Sequence, residues 1–220
     1  MVSIVDEIVD HRNRFRAPRW RFLSAYWSLS AKRGGFCPRR RTPIEGPSSK
    51  LRRVAQPETH VFEDAGGIPN SRLPVLVYHE VEGASEAPGC QELFAANGWL
   101  GGWVDGIFSF HHFHSTAHEV LGIVGGSATV VLGGPSGCRF EVARGDVLVL
   151  PAGTGHCNAG GSADLLVVGA YPNGMRWDLR RGDPAEREEV LANIAAVPLP
   201  ETDPVNGPGG PLTELWRAVG

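Results

Sequence analysis

Apolar positions in this chain follow two regimes. From Pro57 onward they come as short runs rich in Val, Leu and Ile, separated by glycine-bearing turns. Val75–His79, Ile107–His114, His118–Val124, Ala128–Leu132, Cys138–Val142, Val147–Leu150 and Asp164–Tyr171 read as β-strands. The turns between them are GGS at 125–127, GGPSG at 133–137, ARGD at 143–146 and PAGTG at 151–155. Short strands punctuated in this way predict an antiparallel sandwich or barrel. Glu86–Asn97 reads as a weak helix or a loop, and Trp99 and Trp103 flank a Gly-rich loop suited to cover a barrel mouth or simply to pack. One helix follows the strands: Asp183 caps it, Pro184 suits its first position, and Glu186 has capping-box spacing before VLANIAAV. The Pro/Gly-rich stretch from Pro198 to Gly210 is expected to wrap the surface without regular structure.

The first 55 residues show no such pattern. Arginines alternate there with aromatics, as in HRNRFRAPRWRFLSAYWSLSAKRGGF, with no clean period. Charge sharpens the division. Residues 1–55 hold 13 Lys or Arg against 4 Asp or Glu, a formal +9, whereas residues 56–220 hold 8 against 20, a formal −12. The overall −3 of the 220 residues therefore describes neither part. Three readings fit the basic arm: phosphate and base contacts to nucleic acid, a targeting segment, and a disordered extension or one translated from a start placed too far upstream. Composition favours the last. Methionine stands only at positions 1 and 175, so an internal start near Val54 would need another codon. The expected organisation is thus an extension over 1–55 and a single domain over 56–220. An acidic domain does not suggest nucleic-acid binding, so any such partner would be met through residues 1–55.

Other composition adds exclusions. No run reaches the apolar length of a membrane span. The cysteines at 37, 90, 138 and 157 form no C-x-x-C and are too scattered for a disulfide framework, so the cytoplasm is the expected compartment. The His118-Glu119 pair lacks a second His at metalloprotease spacing, and there is no G-x-S-x-G, P-loop or dinucleotide fingerprint.

The candidate chemistry is histidine. Five of the eight histidines lie between 111 and 156. Strand alternation puts Phe108, Phe110, His112 and His114 on one face, and His111 and Phe113 on the other. Glu119 opens the next strand on the face of Leu121 and Ile123, where a carboxylate needs a cation or hydrogen bonds to offset its desolvation. His156 follows the PAGTG turn, from which an antiparallel neighbour can return it to the same point. Three imidazoles and one carboxylate suit a divalent first-row metal with positions left open. By the same phase, His111 and His118 face away from the ligands toward the surface or an outer shell. Cys157 is expected to be a buried inert thiol, and Asn158 and Tyr171 to serve as hydrogen bonders in turn, core or cavity.

Gly106-x5-His112-x-His114-x4-Glu119-x6-Gly126 resembles the first signature of the cupin superfamily, and Gly145-x5-Pro151-x-Gly153-x2-His156 resembles the second. The second departs from the family pattern after His156, since Asn158 stands two residues on rather than after three more. Further blocks resemble the YjlB-type small cupins: FEDAGGIPNS at 62–71, HSTAHEVLG at 114–122, AYPNG at 170–174, WDLRRG at 177–182 and VPLPETDP at 197–204. The resemblance covers about 57–217 and none of the basic arm. It implies an all-β fold, a double-stranded β-helix (the RmlC-like cupin jelly roll) with a short C-terminal helix, and a metal inside the barrel. His112, His114, Glu119 and His156 are the ligands it implies, for Fe, Mn, Ni or Zn. It also implies a homodimer, but it carries over no reaction; a small polar molecule is the expected ligand. Dioxygenase or isomerase/epimerase chemistry is one expectation; a non-catalytic ligand-binding or storage-like module, or a DNA-associated regulator using the basic arm, are the others.

Overall fold

The computed structural model describes residues 54–219. The alternatives for the basic arm concern residues 1–55 and fall almost wholly outside that range. Among the described residues, the strands β1 (Glu58–His60), β2 (Val75–Tyr78), β3 (Trp99–Asp105), β4 (Glu119–Gly125), β5 (Ser127–Leu132), β6 (Cys138–Ala143), β7 (Val147–Leu150), β8 (His156–Gly161) and β9 (Leu166–Pro172) pair antiparallel throughout. They form a six-stranded sheet in the order β1-β2-β7-β4-β9-β3 and a three-stranded sheet in the order β6-β5-β8. The helices are α1 (Ala87–Ala96), α2 (Arg187–Ala196) and α3 (Pro211–Arg217). No helix among the described residues is long and apolar enough to cross a membrane.

The inner strands β2, β7, β4 and β9 of the six-stranded sheet are buried on both faces, which is why they read as unbroken apolar runs and not as an alternation. Val75, Val77, Leu121, Ile123, Leu148, Leu150 and Val167 point inward and meet Ala128, Val130, Leu132 and Val142 of the smaller sheet. Their neighbours Leu76, Tyr78, Val120, Val147, Val149 and Val168 point outward, where Cys90 and Phe94 of α1 and Leu212 and Trp216 of α3 cover them. Each fully buried aliphatic side chain contributes about 1.5–3 kcal/mol, so these two rows dominate the stability of the fold. Gly122 lets α1 sit so close to β4, since a Cβ there would lie 2.4 Å from the Cys90 sulfur.

Several expectations need correction. The glycine-bearing stretch around Trp99 and Trp103 is strand β3 rather than a loop. Gly101 and Gly102 fall where the pairing with β9 shifts register, and Trp99 is buried with its indole donating to the Thr202 carbonyl. The stretch 198–210 does not merely wrap the surface. Asp203 is fully buried and accepts from the Tyr78 hydroxyl and from the backbone N–H groups of Val205, Asn206 and Leu212. Asp183 caps as expected, accepting from Ala185 N–H at 2.9 Å, and a 3-10 turn over Pro184–Glu186 leads into α2. Glu186 does not close a capping box; its carboxylate lies 2.8 Å from Arg180.

Candidate metal centre

Residues 107–114 form no continuous strand. The chain passes here from β3 to β4 and finds a different partner at each step, so no ladder develops. His112 exchanges both backbone hydrogen bonds with His156, at 3.1 and 2.9 Å, and Phe113 does so with Arg180, at 3.0 and 2.9 Å. The His114 carbonyl accepts from Gly153 N–H at 2.8 Å. The chain bends at Ser109 and Phe110, yet the expected alternation of side chains holds. Phe108, Phe110, His112 and His114 form a row with successive ring centroids 4.9, 5.5 and 5.6 Å apart, while His111 points to Cys157, 3.6 Å from its sulfur.

The PAGTG turn delivers His156. Gly153 adopts φ +90°, and a Cβ there would lie 2.7 Å from the Asn70 carbonyl oxygen, so only glycine fits this turn without strain. Gly155 N–H donates to the Asn70 side chain, which donates in turn to the Glu63 and Gly133 carbonyls. His156 then starts β8 directly opposite His112, with ring centroids 4.0 Å apart.

One donor atom from each of His112, His114 and His156 lies within 4.8 Å of the other two. All three rings are buried, and each turns Nδ1 to a backbone carbonyl: His112 to Phe110 at 3.0 Å, His156 to Thr154 at 3.1 Å, and His114 to Asp178. A carbonyl only accepts, so in the neutral ring the proton sits on Nδ1 and the Nε2 lone pair is free to coordinate. Glu119 comes from the start of β4, buried beside them. Its Oε2 lies 3.4 Å from His114 Nε2 and 3.4 Å from His156 Nε2, and it has no hydrogen-bond donor. Its Oε1 accepts from the Tyr171 hydroxyl at 3.1 Å, and that hydroxyl accepts from the Trp103 indole at 2.8 Å.

The electrostatics follow from this packing. Burial pushes the His112 imidazole down to about 3, assisted by His156. Burial opposes ionisation of Glu119 too, yet His114 and His156 outweigh it and hold the carboxyl below the usual range. His114 is lowered by burial but raised further by Glu119 and the Asp178 carbonyl, so it lies above an ordinary imidazole. Three convergent nitrogens and a buried carboxylate oxygen lacking a donor fit a divalent cation, which would take over the balancing of Glu119.

The neighbouring residues sort clearly. His118 is buried rather than at the surface; its Nδ1 accepts from Ala152 N–H at 2.9 Å, and its ring packs 4.7 Å from Trp216. Cys157 is a buried thiol that burial raises above its ordinary value. Asn158 closes its own turn by accepting from Gly160 N–H, whereas Tyr171 belongs to the centre. Sequence reasoning missed Trp177, Asp178 and Arg180. Trp177 packs edge-on to His114 at 5.0 Å and stacks on Tyr171 at 5.9 Å. Arg180 holds the Asp178 carboxylate at 2.7 Å.

The chain has relatives among known proteins. Residues 105–174 match the family model described as cupin. The uncharacterized protein YjlB of Bacillus subtilis (strain 168) is 38% identical over 161 residues, which cover 72% of this chain and 96% of that protein. Among solved structures, an acireductone dioxygenase from Bacillus anthracis with a cadmium ion in its active centre is similar over 40% of this chain and 60% of that one, with 18% identity and a TM-score of 0.31. Procruciferin, an 11S globulin from Brassica napus, is similar over 80% of this chain and 43% of that one, with 16% identity and a TM-score of 0.31. The chain thus spans less than two thirds of the length of either structure. Identity to YjlB across nearly all of that relative's length carries the assignment: this chain belongs to the cupin family, and within it to the YjlB type.

Proposed function

We propose that this cupin binds a divalent first-row metal through His112, His114, His156 and Glu119 and presents it to a small polar molecule. The observation that carries the reading is the set of three imidazoles with Nδ1 committed to backbone carbonyls, facing the Glu119 oxygen that has no donor. Nothing in a mixed nitrogen and oxygen set chooses among Fe, Mn, Ni and Zn, since availability and geometry decide that. Four protein ligands leave positions on a six-coordinate ion for substrate oxygens, and a bound metal would supply Lewis-acid or redox chemistry of the dioxygenase or isomerase/epimerase kind. The protein's own residues fix ligand orientation and exclude water; Tyr171 holds the Glu119 carboxylate by one oxygen and leaves the other turned inward.

The test is metal analysis of protein purified without chelators, with His112→Ala and Glu119→Ala beside the wild type. Near-stoichiometric metal in the wild type and its loss in both variants is the expected result. Wild type that carries no metal and takes up none from added Mn(II), Fe(II), Ni(II) or Zn(II) refutes the reading.

A further inference from the structure

We infer that Trp177 and Asp178, on the strap that follows β9, are positioning residues of this centre, aligning His114 and Glu119 and thereby setting how tightly and how long a divalent cation is held. The inference rests on the metal-binding reading above. Asp178 grips the His114 region at two levels. Its carbonyl accepts from the His114 ring, while its carboxylate accepts from Ser115 N–H at 2.6 Å, Ser115 Oγ at 2.5 Å, and Thr116 N–H and Oγ1 at 3.3 Å each. Ring and following backbone are therefore fixed by one residue more than sixty positions away in sequence. Partners of this kind orient a coordinating histidine and settle its tautomer.

The strap is itself anchored. Its Arg180 exchanges backbone hydrogen bonds with Phe113, between His112 and His114, and its guanidinium joins Asp178 to Glu186 at 2.8 Å and Glu189 at 2.5 Å, tying the strap to α2. Trp177 provides the second grip. It lies against His114 and stacks on Tyr171, whose hydroxyl holds Glu119. The residue is 42% exposed, so burial alone does not account for its place at two rings of the centre. The cupin family match ends at residue 174, which leaves the strap outside it. A cation leaving the centre would have to part from His114, whose ring the strap holds in place.

Full-length protein loaded with Zn(II) is mixed with excess chromophoric chelator to read the release rate, and Co(II)-loaded protein is read by its visible ligand-field spectrum. Asp178→Ala should weaken Zn(II) binding on the order of tenfold to a hundredfold and alter the Co(II) spectrum. Trp177→Ala should quicken release several-fold, and Asp178→Asn, which keeps the size and one acceptor, should fall between. Asp64→Ala, which removes an exposed partner of Arg187 on α2, should behave as wild type. Asp178→Asn and Trp177→Ala that fold, yet release Zn(II) at the wild-type rate with an unchanged Co(II) spectrum, overturn the inference even if their melting points fall. A wild type that binds neither metal overturns the metal reading and this inference together.

Discussion

Replacing His118 with Asn should flatten the acid limb of the stability curve. The imidazole is 2% exposed. Burial pushes it down to about 4, opposed only by the Pro198 carbonyl. In the fold it stays neutral to about pH 4, whereas in the unfolded chain it gains a proton near 6.5. Because the folded value is the lower one, the unfolded state binds the extra proton between these limits. The stabilisation is complete above about pH 6.5 and is lost as pH falls toward 4. The interval corresponds to about 3 kcal/mol in total, of which about 2 kcal/mol is gone by pH 5. For a domain of this size that is a fall of roughly 4–8 °C in Tm. Asn keeps an acceptor for Ala152 N–H but cannot titrate. His112, also depressed by burial, imposes the same acid loss on both proteins and cancels in the difference. The assay is urea or thermal unfolding of both proteins from pH 8 to pH 5 in the same metal state. Wild type should lose about 2 kcal/mol more than the variant across that range, although the variant starts lower for want of packing on Trp216. Parallel curves would refute the reasoning.

Two further substitutions probe the fold and the centre. Gly122→Ala would place a methyl 2.4 Å from the Cys90 sulfur and 3.1 Å from Phe94 Cζ; the expected loss is about 1–3 kcal/mol in denaturant melts. Adding Cys90→Ala should restore part of it, and simple additivity of the two changes would show that the contact is not the cause. Tyr171→Phe removes the donor to Glu119 Oε1 and should weaken Zn(II) binding on the order of tenfold by titration calorimetry, with wild-type affinity arguing against an orienting role for the phenol.

How much could be read in advance depended on where each signal resides. Strands β2, β4 and β7 were legible because both of their faces are buried. Strand β3 was not, because as a sheet edge it exposes Leu100 and Val104 and carries two glycines. Strand β8, HCNAGG, has no apolar run; its pairing with β5 makes it a strand. Helix α3 is a short piece pinned by Leu212 and Trp216, too brief for periodicity to show. The four candidate ligands were legible because alternation and turn chemistry are local. Even 107–114, which bends at 109–110 and forms no ladder, kept the phase that puts His112 and His114 together. The strap was invisible for a definite reason: its bond to His114 uses a backbone carbonyl, a group every residue has, and only the fold brings it there.

The candidate ligands are drawn from both layers of the sandwich, Glu119 from the larger sheet and His156 from the smaller. A cation shared between them would act as a rivet, and the work of separating the sheets would include the work of breaking coordination. Opening would then be polarised. It would start at the opposite end, where β4 turns into β5 and β8 runs out at Gly161, and reach the ligand end last. Metal supply would thus set the lifetime of the folded chain as well as the occupancy of its centre.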